Sequence, residues 1–101
     1  MGVKTLDEIN LNYSRAIRQA ERLEGRAGEL KELANGDFQG CLTGIAANWE
    51  GENARAGIRK GEKLKGDLEK SAGQLEMVAK AIRSVAKRTR EADIAACSMT
   101  G

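Results

Sequence analysis

Two thiols, Cys41 and Cys97, together with fifteen carboxylates and seventeen Lys/Arg side chains, are the groups with which this chain could do chemistry. Their spacing speaks against a reaction. No histidine is present, so the commonest general base and metal ligand is missing and neither thiol has an imidazole to activate it. No Cys-x-x-Cys pair exists to hold a metal or run thiol exchange. The carboxylates recur at ordinary helix charge-pair spacing, and no Gly-x-x-x-x-Gly-Lys-Ser/Thr or Gly-x-Gly-x-x-Gly loop follows a strand to cradle a phosphate. The expectation is a protein that is not an enzyme, with no catalytic residues, no cofactor and no metal.

One charged feature has the right spacing for binding. Lys80, Arg83, Lys87 and Arg90 recur at three, four and three residues and form a basic stripe on a helix, with Arg88 beside it. A nucleic acid or anionic membrane can use such a stripe, but a solvated face whose cations complement a helix C-terminal dipole has the same pattern. No aromatic residue in this region could stack on bases, so no nucleic-acid partner is expected. The net charge of +2 is too small to name a partner. Residues 1–48 carry six Lys/Arg against seven Asp/Glu, and 49–101 carry eleven against eight.

The elements that carry these residues are legible as two helical arms. Charged residues make up 32% and aromatics 3%, with no proline, which suits long amphipathic helices and not a β-sandwich core. The first arm opens on Thr5-Leu6-Asp7-Glu8, a capping box in which the Thr5 hydroxyl takes the Glu8 N–H and the Glu8 carboxylate returns to the Thr5 N–H. Leu6, Ile9, Tyr13, Ala16, Ala20, Leu23, Ala27, Leu30 and Ala34 then alternate steps of three and four, a heptad seam. At Asn35-Gly36-Asp37 the pattern weakens. The seam resumes at Phe38, Cys41 and Ile45, so the helix either continues with a stutter or breaks at Gly36. The second arm's seam runs through Ala54, Ile58, Gly61, Leu64, Leu68, Ala72, Leu75, Ala79, Ile82, Ala86 and Thr89, widened by Val78 and Val85. Glu50 and Glu52 place negative charge at its N-terminus, where the helix dipole favours it.

Between the arms lies Trp49-Glu50-Gly51, holding the only tryptophan near the midpoint of 101 residues. The expected fold is therefore all-α: an antiparallel two-helix hairpin in one domain, 1–101. Arm 1 covers about 5–47, the turn about 48–51, arm 2 about 52–95, and a frayed tail 96–101. Folding the chain at residue 50 brings Gly40 to Gly61 and Gly44 to Gly57. These glycines then serve either as a close helix approach that leaves room for the Trp49 ring, or as exposed positions in a flexible tip. Cys41 is expected to be a small apolar filler and Cys97 an exposed tail thiol. At about 1.5 Å rise per residue their separation is on the order of 55 Å, too far to pair.

Two helices cover only one side of each apolar stripe, so stability is expected to come from pairing into an antiparallel four-helix bundle burying roughly 2,000 Å² or more. The helix–helix interface is expected at Leu6, Ile9, Tyr13, Leu23, Leu30, Phe38, Ile45, Ile58, Leu64, Leu68, Leu75 and Ile82. The polar start, Met1-Gly2-Val3-Lys4-Thr5, has no apolar core of a cleaved signal peptide. No run approaches the roughly 20 apolar residues of a membrane span.

About 100 residues, two helical arms and a central Trp-Xaa-Gly resemble the WXG family, the small helical-hairpin substrates of type VII (early-secreted-antigen) secretion. The resemblance covers nearly the whole chain and implies that Trp49, Glu50 and Gly51 form the turn, with Trp49 and Gly51 the secretion-motif positions. It also implies a bacterial protein that is cytoplasmic before export and secreted without a cleaved leader. The implied partners are itself or a related small helical protein, with a larger toxin and the secretion ATPase beyond them. Family members add a Tyr-x-x-x-Asp/Glu tail element. Here the only tyrosine is Tyr13, in the first arm, so either a partner supplies that element or the chain is a chaperone-like companion to its cargo. A cytoplasmic coiled-coil adaptor unrelated to secretion is the competing expectation.

Overall fold

The computed structural model describes residues 4–100, of Thr100 the backbone alone; residues 1–3 and Gly101, the last of the expected tail, lie outside the described residues. Every element among the described residues is helical. Helix α1 spans Leu6–Glu32, a π-helical turn spans Leu33–Phe38, α2 spans Gln39–Asn48 and α3 spans Glu52–Thr100. Helix α3 runs to Thr100, past residue 95 where the thinning apolar pattern set its end. A stretch of alanine holds a helix well even where it holds little core.

Helix α1 starts on its cap. The Glu8 N–H donates to Thr5 Oγ1 at 3.1 Å and the Ile9 N–H to the Thr5 carbonyl at 3.0 Å. The return bond differs from the expected box: the Thr5 hydroxyl itself donates to Glu8 Oε1 at 3.3 Å, so one side-chain oxygen both accepts and donates.

The helix does not stop at Gly36. Among the described residues the one positive φ belongs to Gly51, at 93°, so Gly36 makes no left-handed cap. Leu33–Phe38 instead widens into a π-turn, which closes i→i+5 bonds and takes in one residue more than an α-turn. That extra residue moves the apolar stripe. One heptad after Ala34 the seam would reach Cys41; Leu42 is buried and Cys41 exposed. The assignment of Cys41 as an apolar filler is thereby corrected. Cys97, expected to be exposed, is half-buried in α3.

Packing divides into two compact units. The stretches up to Glu24 and from Glu76 form the first, and Gly25–Leu75 the second. In the first unit the two helical segments run antiparallel, with Lys4 on Asp93 at 3.2 Å, Asn10 on Arg90 at 3.3 Å and Glu24 on Arg83 at 2.7 Å. Its buried residues are Ile9, Ala20, Ala79 and Ala86. In the second unit, Lys65 Nζ donates to Gln39 Oε1 at 2.8 Å and Leu42 lies on Gly61. Its buried hydrophobics are Ala27, Ala34, Leu42, Ala54 and Ala72. Alanine recurs every seventh residue at 20, 27 and 34 and again at 72, 79 and 86. A methyl at each of these heptad positions gives little bulk, so the larger residues beside it remain partly in solvent.

Candidate interaction surfaces

Most of the expected interface residues sit on the seam, but half-covered. Ile9 is buried, while Tyr13, Leu23, Leu30, Phe38, Ile45, Ile58, Leu68, Leu75 and Ile82 are half-buried. Leu6 and Leu64 stand apart, 54% and 53% exposed. Lys65, not Leu64, takes the seam position in α3: it is half-buried, holds Gln39 and lies 3.8 Å from Glu69. A lysine can do this because its methylene stem packs while its ammonium reaches a polar partner.

The glycine pairing is corrected in detail. A Cβ placed on Gly40, Gly44 or Gly57 would meet nothing within 4 Å, so none of them marks a close approach. Gly61 does. A Cβ there would collide with Leu42 Cδ2 and lie 3.3 Å from Leu42 Cγ. Leu42, two residues beyond Gly40, is thus the side chain seated on Gly61.

Trp49 ends α2. Its N–H still donates to the Ile45 carbonyl at 2.9 Å, but its backbone is extended at φ −114° and ψ 147°. The Asn48 side chain covers the Gly44 carbonyl at 2.9 Å. Gly51, at positive φ, offers its carbonyl to the Arg55 N–H at 3.1 Å and so opens α3. Glu52 in that first turn is paired with Arg55 at 3.0 Å. The indole of Trp49 is 64% exposed, so the expected pocket for its ring between facing glycines is not formed.

The basic stripe is split by its surroundings. Arg83 forms a two-pronged pair with Glu24, Nε to Oε2 at 3.0 Å and Nη2 to Oε1 at 2.7 Å. Those bonds hold the Glu24 carboxyl below its ordinary range and raise the Arg83 guanidinium further. Arg90 lies 5.2 Å from the centroid of the Tyr13 ring, within cation–π range. Lys80 and Lys87 are exposed. Two members thus serve contacts inside the first unit, which leaves no continuous cationic stripe for a polyanion. Sequence spacing did not reveal this, because it does not carry the register between the two segments.

The first unit also carries an apolar groove beside Val78 and Val85. The groove has a volume of about 460 Å³, with Ile9, Tyr13, Ala16, Val78, Ile82 and Val85 in its walls and Asn12, Thr89 and Asp93 among its polar edges. Val78 is 49% and Val85 52% exposed. Among the described residues no group of His, Cys, Asp or Glu is placed to hold a metal, and no helix is long and apolar enough to cross a membrane.

No family model, curated protein or solved structure matches this chain.

Proposed function

We propose that the chain is a helical-hairpin association protein, turning at Trp49-Glu50-Gly51 and pairing into a four-helix bundle as a small substrate or secretion partner of a type VII system. The observation that carries the association is how little the chain covers of itself. Among the described residues, seven of the nine buried hydrophobics are alanine, and the one large side chain buried completely is Ile9. The accessible surface is 7550 Å², where a folded monomer of 10.9 kDa leaves about 5600 Å². The excess, about 2000 Å², lies in the range that an obligate interface takes from each partner. Folding then depends on what covers that surface, and so on concentration.

The secretion reading rests on the resemblance to the WXG family and is supported by the place of the helix interruption. Among the described residues helix is absent only at the start and at Trp49–Gly51. An exposed indole beside that interruption is available to a receptor and contributes little to the core. Two measurements test the proposal. Sedimentation across micromolar concentrations should show an assembly that loses helix content on dilution; a folded monomer at those concentrations overturns the association. In a bacterium with a working type VII apparatus, Trp49→Ala should stop export while leaving the helical signal intact. Unchanged export overturns the secretion role and, with association intact, leaves a helical partner protein unrelated to secretion.

A further inference from the structure

Resting on the association reading above, we propose that the groove of the first unit receives an amphipathic helix of a different protein, one carrying Leu, Ile or Val every seventh residue between flanks of Asp and Glu. The floor of the groove suits a helix. Val78 and Val85 lie one heptad apart, half exposed, with Ala81 between them. Valine has few side-chain rotamers to lose, and an alanine at the centre lets a third backbone come close.

The banks decide what kind of helix. Arg15 stands one turn beyond Asn12 and Arg22 one heptad beyond Arg15, on the α1 side. Arg88 stands one turn beyond Val85, on the α3 side. All three are exposed and unpaired among the described residues, unlike Arg83, Arg90 and Lys4, which are engaged by Glu24, Tyr13 and Asp93. Two nearby carboxylates are ion-paired, Glu24 with Arg83 and Asp93 with Lys4. Glu8, one heptad before Arg15 and bonded by the neutral Thr5 hydroxyl, and Glu91, one turn past Arg88, are the acids left along these banks, and the three arginines outnumber them.

A second copy fits this groove poorly. A two-fold axis sets like surface against like, so arginine banks would face arginine banks. Acidic flanks on a foreign helix meet the positive excess of the α1 bank, which steers the encounter and fixes its register.

The test uses the full chain and two synthetic helical peptides of equal length. Both have the same Leu/Ile heptad stripe, flanked by Glu in one and by Lys in the other. At low ionic strength the Glu-flanked peptide should bind about tenfold tighter by calorimetry, and the gap should close as salt rises. Arg15→Gln/Arg22→Gln/Arg88→Gln should abolish the preference, and Val78→Gln/Val85→Gln should abolish both bindings, with circular dichroism verifying that each variant keeps its helix. Equal binding of the two peptides, a preference that survives the triple replacement, or no binding of either overturns the proposal. So does self-association that Val78→Gln/Val85→Gln removes, since a second copy would then fill the groove while the association reading stands.

Discussion

The two units use the same helices in different ways. The first keeps a strict α-helical period, so its seam residues line up without a gap and its segments are tied by side chains that reach across, Glu24 to Arg83 and Asn10 to Arg90. The second takes in an extra residue at Leu33–Phe38, and a leucine resting on a glycine fixes its contact. A regular period lets polar ties form anywhere along the seam. A slipped period calls for one close fit to set the register, and Leu42 on Gly61 supplies it.

Removing one residue should separate the units most sharply. Deleting exposed Gln19 from α1 turns everything before it by about 100° and takes Ile9 off the seam, at a cost of roughly 3 kcal/mol or more. Deleting Gly36 should let the π-turn close as an α-turn, keep Leu42 in place, and change stability by less than about 1 kcal/mol, since a helix loses nothing with a glycine. Denaturation of both at one protein concentration is the comparison. Similar losses from the two deletions would mean that Leu33–Phe38 holds no spare residue.

Next in size is the pair of neighbours that the π-turn exchanged. Leu42→Ala should cost about 2–4 kcal/mol, and Cys41→Ala within about 0.5 kcal/mol, because that side chain lies in water. The reverse ranking in urea titrations would restore the unshifted heptad.

How far the residues alone foretold this differs along the chain for physical reasons. From Ile9 to Ala34 every expected seam position is covered, because the alternation of three and four is the α-helical period itself. Past Ala34 it failed by one residue. Asn35, Gly36 and Asp37 are weak helix formers, and weak propensity is equally compatible with a break, a stutter or a widened turn. In α3 strict alternation after Ile58 and Gly61 leads to residue 65; hydrophobicity drew the seam to Leu64, since a lysine stem gives no apolar signal. Folding at residue 50 sets Gly40 against Gly61, whereas the side chain seated there is Leu42, two residues on, because the sequence carries no register. The Glu24–Arg83 pair and the groove need that same register and were not legible.

The contact on Gly61 can be sharpened. Gly61→Val puts branched bulk where Leu42 sits and should cost roughly 1–3 kcal/mol. Adding Leu42→Ala opens the space, so the double variant should lose clearly less than the two single losses together. Strict additivity would mean that the two residues do not touch.

The smallest expected effect belongs to the tie in the first unit. Arg83's hydrogen bonds hold Glu24 below the ordinary carboxylate range, so folding favours the ionised form. The pair's contribution is complete above the ordinary glutamate pKa and is lost as pH falls through the depressed folded value. Both groups are solvated, so salt should weaken it. A carboxyl NMR titration should find Glu24 moving back toward its ordinary range in Arg83→Gln. A Glu24 titration indifferent to Arg83→Gln would mean that the two prongs do not persist in solution. The first unit would then keep Lys4–Asp93 and Arg90–Asn10 as its polar ties across the two segments.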